Sequence, residues 1–262
     1  MGKKQKETEG AKLFELHYQN IYAERWPTLR QALLEERKPV AFNEKLEATY
    51  YLDEASIIAA RLLGVQEGDH VLDMCAAPGG KTLVMASALQ GSGLLVANDR
   101  SATRRGRLKI VLKNHLPQAW QEHVLVTGHD ATKWGLYEQG LYDRVLLDAP
   151  CSSERHVLAD DKALHMWRPS RPKALAIQQF AMLAAALEAV KVGGLILYST
   201  CSIEPAENEG VIEKLFAKRA GRFAIEHISA PEAEGRPYGS IILPDSSGGR
   251  GPLYVCLVRR VS

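Results

Sequence analysis

The stretch VLDMCAAPGGKT, residues 71–82, joins an apolar run that ends at Asp73 to a Pro-Gly-Gly turn. Its last four residues look like the end of a phosphate-binding P-loop. A P-loop has a glycine five positions before Gly80, where the chain turns through conformations that a side chain forbids, but this chain has Cys75 there. The stretch therefore predicts a strand, a tight turn and a helix N-terminus that cradle a ligand other than a triphosphate.

Strand-like apolar runs alternate with helical patterns along the chain. The strand-like runs cover residues 70–75, 93–99, 123–130, 142–150 and 193–201, and helical patterns begin at Lys81, Ala102 and Arg171. Continuously apolar runs indicate strands that are buried on both faces of a parallel sheet. Two late runs, residues 239–244 and 252–261, could form a hairpin at one edge. The sequence thus predicts an α/β fold with a doubly wound, Rossmann-like sheet of seven strands.

The chain before this sheet is predicted to be helical. Residues 26–37, WPTLRQALLEER, have an amphipathic helical pattern. We therefore expect a short helical N-terminal extension over residues 1–50 and a catalytic domain over residues 51–262.

Composition and charge exclude several classes of protein. Of 262 residues, 46% are hydrophobic and 24% are charged, which is typical of a globular protein and not of a fibre or a disordered chain. The 33 Lys and Arg nearly balance the 31 Asp and Glu, so a nucleic-acid surface would come from local clusters of positive charge. The four cysteines suggest neither a disulfide framework nor a zinc site, and no run resembles a membrane span or a signal peptide. We expect a cytoplasmic protein without a metal or a membrane segment.

The Pro-Gly-Gly turn is suited to an adenosyl ligand. Gly79 and Gly80 would let the backbone approach a ligand closely at a helix N-terminus. Asp99 lies about 20 residues further on, at the next strand end, where an acid typically binds ribose hydroxyls. The pattern alone leaves NAD and S-adenosylmethionine open, although the G-x-G-x-x-G fingerprint of dinucleotide enzymes is missing. The alternative to ligand binding is a purely structural turn that packs the helix against the strand.

Two motifs place a cysteine just beyond a strand end. DAPCSSERH, residues 148–156, contains Cys151, and STCSIEPAENE, residues 199–209, contains Cys201. Either cysteine alone could be a buried structural residue, but two at adjacent strand ends on the ligand side of the sheet favour chemistry. Cys256 lies inside an apolar run and is predicted to be part of the core.

These motifs together resemble the Sun-domain family, also called Fmu or RsmB-like, of RNA cytosine-5 methyltransferases. The resemblance is carried by YYLDEAS, DMCAAPGGKT, NDRSATRRGRL, DAPCSSERH and YSTCSIEPAENE, in family order and spacing. The chain looks most like the compact, mitochondrial-type ribosomal RNA members. The resemblance implies S-adenosylmethionine as cofactor and RNA as substrate, with ribosomal RNA favoured and transfer RNA possible. Because the family often carries a separate RNA-binding domain, a protein partner that supplies RNA targeting is a further expectation.

The resemblance also implies roles for individual residues. Cys201 would be the nucleophile that adds to C6 of cytosine, since carbon 5 becomes reactive only in the resulting enamine. Cys151 would help to eliminate the enzyme from the methylated base. Asp148 would hydrogen-bond to the N3 and N4 edge of the base. Lys81 would also face the base; its alternative is a lysine that only reaches out to solvent.

Eleven positions would bind the cofactor by the same resemblance. They are Cys75, Ala76, Ala77, Pro78, Gly79, Gly80, Lys81, Asp99, Arg104, Asp130 and Asp148. The loop from Cys75 to Lys81 would wrap the methionine part and the adenosine, and Asp99 would bind the ribose. Asp130 would meet the adenine edge, although an acid in this position caps a helix about as often.

Positive charge clusters in two segments that could hold RNA. The first comprises Arg100, Arg104, Arg105, Arg107, Lys109 and Lys113, for which a solvated helix face is the alternative. The second is MWRPSRPK, residues 166–173, where Trp167 beside three cations could stack on a base. His129 and His156 could touch RNA, but structural roles are favoured for both.

Three other functions are compatible with parts of the pattern. A DNA cytosine-5 methyltransferase would share this fold but would use Cys151 as its nucleophile. An exocyclic-amine methyltransferase would have Pro-Pro and an aromatic residue where this chain has APC. A noncatalytic RNA-binding assembly factor could keep the fold, but two intact cysteines argue against it.

Overall fold

The computed structural model describes residues 8–228 and 230–262. Residues 1–7 of the predicted N-terminal extension lie outside the described residues. Within the described part of the chain, no helix combines the length and the apolar character needed to cross a membrane.

Helices and strands alternate along most of the chain, as predicted. The helices are α1 (Glu9–Tyr22), α2 (Trp26–Leu34), α3 (Glu54–Leu62), α4 (Gly80–Leu89), α5 (Ala102–His115), α6 (Gln118–Gln121), α7 (Glu154–Ala159), α8 (Asp161–Met166), α9 (Ser170–Ala189) and α10 (Glu209–Arg219), with short 3-10 helices at Ala23–Arg25 and Ala131–Leu136. The strands are β1 (Val40–Phe42), β2 (Tyr50–Leu52), β3 (His70–Asp73), β4 (Leu94–Asn98), β5 (Val124–Thr127), β6 (Tyr142–Asp148), β7 (Val190–Thr200), β8 (Phe223–Glu226), β9 (Glu234–Gly235), β10 (Ser240–Ile242) and β11 (Leu253–Arg260).

The central sheet confirms the predicted doubly wound α/β fold but has more strands than expected. Among the described residues it has nine strands, in the order β5-β4-β3-β6-β7-β11-β10-β9, with β8 also paired to β11. The first five strands in this order are parallel. β10 and β11 form the predicted antiparallel hairpin, and β11 is also antiparallel to β7. The expectation of seven strands was wrong because it missed β8 and β9. β9 has only two residues, and the apolar part of β8 is only three residues long, between Arg222 and Glu226.

Alternate residues of the parallel strands pack into cores on opposite faces of the sheet. Leu72 of β3 is paired with Val96 and Val145, and all three belong to the core beneath α9. The preceding Val71 points to the second core, together with Leu95, beneath α3 and α4. Both faces are therefore covered, which explains why these runs are continuously apolar.

The N-terminal helices are part of the core of the protein. Phe14 and Tyr18 of α1 are fully buried, and both rings pack against Trp167, at centroid distances of 5.3 Å and 6.1 Å. Trp167 is only 1% exposed, so the prediction that it stacks on RNA was wrong. The helical character predicted for the extension ends at Leu34, since the following segment contains β1, which pairs with β2 in a separate ribbon.

Candidate functional site

The Pro-Gly-Gly turn connects the end of β3 to the start of α4. Gly79 has φ of 124°, a conformation that side chains disfavour. A Cβ there would lie 3.0 Å from carbon atoms of both Leu108 and Val111 of α5. A glycine at position 79 is therefore needed for the turn and for the packing against α5. The predicted close approach to a ligand would be a third reason. Gly80 begins α4 and lines a cavity of about 110 Å³ together with Cys75, Ala76, Ala77, Pro78 and Lys81.

Asp99 stands at the end of β4, on the wall of a second cavity of about 360 Å³. Its side chain is 4% exposed, and Oδ1 accepts a hydrogen bond of 2.9 Å from the Ser101 N–H. Among the described residues, Oδ2 has no hydrogen-bond partner, although Nη1 of Arg104 lies 3.4 Å away. A buried carboxylate oxygen without a donor is costly. It therefore fits a ligand that brings hydroxyl donors, such as a ribose.

Arg104 and Asp130 line the same cavity, but their side chains make different hydrogen bonds. Arg104 donates a hydrogen bond to the Ala77 carbonyl of the glycine loop, beside its contact with Asp99. Oδ1 of Asp130 accepts from both the N–H and the hydroxyl of Thr132, at 3.1 Å and 2.8 Å. Hydrogen bonding to Thr132 lowers the pKa of Asp130. Asp130 thus caps the 3-10 helix at Ala131–Leu136, which is one of the two predicted alternatives, and it also lies on the cavity wall. Its contact with the adenine edge stays a prediction.

The two cysteines meet where neighbouring parallel strands end. Asp148, the last residue of β6, pairs with Ser199 of β7, so the following loops lie side by side. The Sγ atoms of Cys151 and Cys201 are 3.1 Å apart, and Cys201 is exposed. The hydrogen bond from the Cys151 thiol lowers the pKa of Cys201, whereas the same contact and burial raise the pKa of Cys151. Of the two, Cys201 is therefore the better thiolate.

Lys81 and Asp148 form an ion pair beside the thiols. Lys81 Nζ lies 2.8 Å from Oδ2 of Asp148 and 3.2 Å from the hydroxyl of Ser56, while Ser199 donates to Oδ1 of Asp148 at 3.0 Å. Burial alone would lower the pKa of Lys81, but the Asp148 carboxylate outweighs it and the pKa is raised. With 16% of its side chain exposed, Lys81 faces the site and does not simply reach out to solvent.

Three adjoining cavities join the glycine loop to the thiols. Cys75 lines both the cavity at Asp99 and the small cavity at the glycine loop. Lys81 and Asp148 line both that small cavity and a third one of about 490 Å³, whose wall contains Cys201. The arrangement can hold one ligand over the loop and a second, flat one against the Cys201 thiol.

Two buried glutamates, whose roles the sequence did not suggest, cross-link the cysteine loops. Glu154 follows Cys151 in the chain and accepts hydrogen bonds from the Ser202 hydroxyl at 2.9 Å and the Ile203 N–H at 3.1 Å. Glu207, from the loop after Cys201, accepts from the Ser152 N–H at 3.0 Å. Burial raises the pKa of Glu207 to about 7, with the charge of Glu154 adding to the effect. Both acids lie within the quoted motifs, but nothing in their spacing marks them as bridges.

The first helix also reaches this region. The Tyr18 hydroxyl donates to Glu154 at 2.6 Å, and the Tyr22 hydroxyl donates to the Ile203 carbonyl at 2.5 Å. His17 lies 2.6 Å from a carboxylate oxygen of Glu204. Residues of α1 therefore brace the loop that carries Cys201.

The predicted RNA contacts are only partly available at the surface. The exposed cations of the first cluster are Arg100, Arg104, Arg107, Lys109 and Lys113. Arg105 turns inward and donates to the carbonyls of Asp99 and Arg100. His129 packs edge-on against Trp134 but is also exposed, on the wall of the cavity at Asp99. His156 is exposed on the wall of the third cavity.

The chain is similar in sequence to RNA methyltransferases. The sequence profile of the 16S rRNA methyltransferase RsmB/F family matches residues 60–255. The 5-cytosine rRNA methyltransferase NSUN4 of Mus musculus is 39% identical over 236 residues, which cover 81% of this chain and 60% of that protein. The mitochondrial tRNA (cytosine(34)-C(5))-methyltransferase of Danio rerio is 33% identical over 234 residues, covering 82% and 62%. The chain thus spans about three fifths of the length of these relatives.

Solved structures agree with the fold. A methyltransferase homologue from Pyrococcus horikoshii superposes with a TM-score of 0.75 at 21% identity, over 95% of this chain and 94% of that one. NSun6 from the same organism was solved with SFG, an analogue of S-adenosylmethionine. It superposes with a TM-score of 0.69 at 28% identity, over 84% of this chain and 54% of that one.

Proposed function

The chain belongs to the RsmB/F family of 16S rRNA methyltransferases, and from this membership we propose that it methylates carbon 5 of a cytosine in RNA. Membership confirms the resemblance drawn from the five motifs and supports S-adenosylmethionine as the methyl donor. Because the chain spans only about three fifths of the length of its relatives, the proposal concerns the reaction at this site.

The observation that carries this proposal is the thiol pair. Cys151 and Cys201 are 3.1 Å apart, and Cys201 opens onto a cavity that adjoins the glycine loop through Lys81 and Asp148. Carbon 5 of cytosine is a poor nucleophile, so the reaction needs a thiolate at C6 and then a second group that releases the adduct. The lowered pKa of Cys201 favours the thiolate that attacks C6, and the raised pKa of Cys151 leaves it as the second group, which would act in the release step.

In the proposed reaction the Cys201 thiolate adds to C6 and forms an Sγ–C6 bond. The electron pair of the C5–C6 double bond becomes available at C5, while N3 of the ring takes up a proton from water and the protonated N3 edge donates to the Asp148 carboxylate. Asp148 is oriented for this by Lys81 on one oxygen and Ser199 on the other. S-adenosylmethionine, when bound, would supply the methyl group to C5 and leave as S-adenosylhomocysteine. Cys151, after losing its own proton to solvent, would then take the C5 proton directly or through a water molecule. The electron pair of the C5–H bond re-forms the C5–C6 double bond, the Sγ–C6 bond breaks to return the Cys201 thiolate, and N3 gives up its proton.

The cofactor would be held at the other end of the adjoining cavities. Oδ2 of Asp99, for which the described residues supply only the Arg104 guanidinium at 3.4 Å, would accept from the ribose hydroxyls. The loop from Cys75 to Lys81 would hold the methionine part. Arg104 would keep Asp99 and the loop together. Asp130 would meet the adenine through Oδ2, which lies 3.8 Å from Nη1 of the exposed Arg100.

The RNA is proposed to be ribosomal, with transfer RNA as the other class. The two relatives reported above are named for these two substrates. Because α1 and α2 are packed into the core, RNA selection would depend on exposed cations such as Lys109 and Lys113 or on a protein partner. The name of the Danio rerio relative describes that protein as mitochondrial, which does not favour the cytoplasmic location expected from the sequence.

Covalent trapping tests the assignment of the two thiols. Cys151→Ala should form the adduct and methylate RNA but stall, giving a protein–RNA band on a denaturing gel. Cys201→Ala and the double variant should give no such band, and Cys201→Ala should bind S-adenosylmethionine within a few fold of the unaltered protein. Cys256→Ala, in β11 and away from the cavities, is the matched control and should turn over normally.

The opposite pattern would refute the proposal. A band from Cys201→Ala but not from Cys151→Ala would make Cys151 the nucleophile, as in a DNA cytosine-5 methyltransferase. No methyl transfer and no trapped complex with any RNA would favour a noncatalytic role.

A further inference from the structure

Ser153 has an unusual conformation for its position in the fold. It precedes α7, where a serine normally has an extended backbone and caps the helix with its side chain. Here φ is 54° and ψ is 64°, the left-handed region, and within the described residues the side chain makes no capping hydrogen bond. A non-glycine residue in this conformation costs free energy that a glycine would avoid. The chain keeps a strained serine where glycine would fit the backbone better.

The hydroxyl of Ser153 is directed instead at the nucleophile. Its Oγ lies 3.6 Å from Sγ of Cys201, within hydrogen-bond range for sulfur, and Ser153 lines the cavity in which the thiol is exposed. A hydroxyl can accept from the thiol and, after rotation, donate to the thiolate. The position therefore offers the thiolate a donor besides Cys151.

We propose that Ser153 is a further catalytic residue, whose hydroxyl group donates a hydrogen bond to the Cys201 thiolate and keeps it available for attack. The catalytic meaning of this contact rests on the proposed function, but the contact itself can be tested without RNA. Hydrogen bonding to Ser153 contributes to the lowered pKa of Cys201, after the larger contribution of Cys151.

Several other groups set the charge around this thiol. They are the thiol of Cys151 in the loop after β6, the carboxylates of Asp148 at the end of β6 and Glu154 in α7, and the ammonium group of Lys81 in α4. Both carboxylates oppose the thiolate, so a neutral donor that adds no charge is useful here.

Two substitutions separate the hydroxyl from the strain. Ser153→Ala removes the hydroxyl and keeps the left-handed strain, whereas Ser153→Gly removes both. Lys45→Gly, at an exposed residue with φ of 56°, relieves similar strain away from the cavities and is the control. Thermal melting shows that each variant is folded, and Ser153→Gly should melt no lower than the unaltered protein.

The readout is alkylation of Cys201 by iodoacetamide over a range of pH, followed peptide by peptide with mass spectrometry. Because the S···O contact is long, we expect the hydrogen bond to stabilise the thiolate at the low end of the range for charged groups. Its loss should therefore change the ionisation constant of the Cys201 thiol by about tenfold. The midpoint pH of Cys201 alkylation should therefore rise by about one unit in both Ser153 variants. It should stay unchanged in Lys45→Gly.

Two results would overturn the proposal. One is an unchanged midpoint in both Ser153 variants, and the other is a shift in Ser153→Ala that is absent from Ser153→Gly, which would assign the effect to strain. If the unaltered protein methylates RNA, both variants should lose about tenfold in kcat with KM unchanged. Failure of the unaltered protein to methylate any RNA would count against the proposed function, while the alkylation result would still decide the role of the hydroxyl.

Discussion

Replacing Asp99 by Asn should weaken binding of S-adenosylmethionine by about one to two decades. Oδ2 of Asp99 is a buried carboxylate oxygen for which the described part of the chain supplies no hydrogen-bond donor. A hydrogen bond to such a charged acceptor is worth about 1.5 to 3 kcal/mol. Since about 1.4 kcal/mol corresponds to a tenfold change in the dissociation constant, the loss of one ribose contact gives roughly 10- to 100-fold weaker binding.

The substitution is chosen so that little else changes. Asn can still accept the 2.9 Å hydrogen bond from the Ser101 N–H through its amide oxygen. Arg104 loses its partner at 3.4 Å but keeps its hydrogen bond to the Ala77 carbonyl. The fall in affinity should therefore report the ribose contact and not collapse of the loop.

Isothermal titration calorimetry with S-adenosylmethionine measures the effect, and Asp143→Asn is the matched control. Asp143 lies near the start of β6, at the opposite end of that strand from Asp148, and it is not in the wall of any of the three cavities, so we expect a change of no more than about threefold. An unchanged dissociation constant in Asp99→Asn, or an equal loss in Asp143→Asn, would show that the ribose does not bind at the end of β4.

Two further predictions concern stability. Burial raises the pKa of Asp73 to about 7, so between about pH 4 and pH 7 the folded state holds a proton that the unfolded state has lost, and the free energy of unfolding should fall as pH rises. Asp73→Asn should make this decline in melting temperature shallower, and an identical pH dependence would contradict the assignment. Tyr18→Phe removes the 2.6 Å hydrogen bond to buried Glu154 and should cost about 1.5 to 3 kcal/mol in urea unfolding. Tyr51→Phe, at a 62% exposed ring, should change the free energy of unfolding by less than about 0.5 kcal/mol; equal losses in the two variants would argue against the Glu154 contact.

The residues at strand ends were predictable because of a general property of parallel sheets. Asp73, Asp99, Asp148 and Cys201 each follow or close a continuously apolar run, and the carboxyl ends of parallel strands share one edge of the sheet. Chain order and apolar period were enough to bring these side chains together. The fold class followed from the same signal.

What the sequence could not reveal depends on contacts between distant segments and on backbone angles. Trp167 beside arginines has the composition of an RNA-stacking loop, and its burial depends on Phe14 and Tyr18, about 150 residues earlier. Ser153 gives no sign of its left-handed backbone. In the sequence, Glu207 looks like an ordinary acidic residue just before a helix. Only the fold brings it into contact with the loop that carries Cys151.

Because α1 braces the Cys201 loop, a fragment that begins after the first helix should lose order in that loop. Without Tyr18, the buried carboxylate of Glu154 would lose a donor, and without Tyr22 the Ile203 carbonyl would lose its own. Local detachment of α1, whether by proteolysis, by a competing surface or by thermal fraying, should therefore loosen the loop that carries Cys201 while leaving the thiol itself unchanged. The order of this loop thus depends on whether the first helix stays docked.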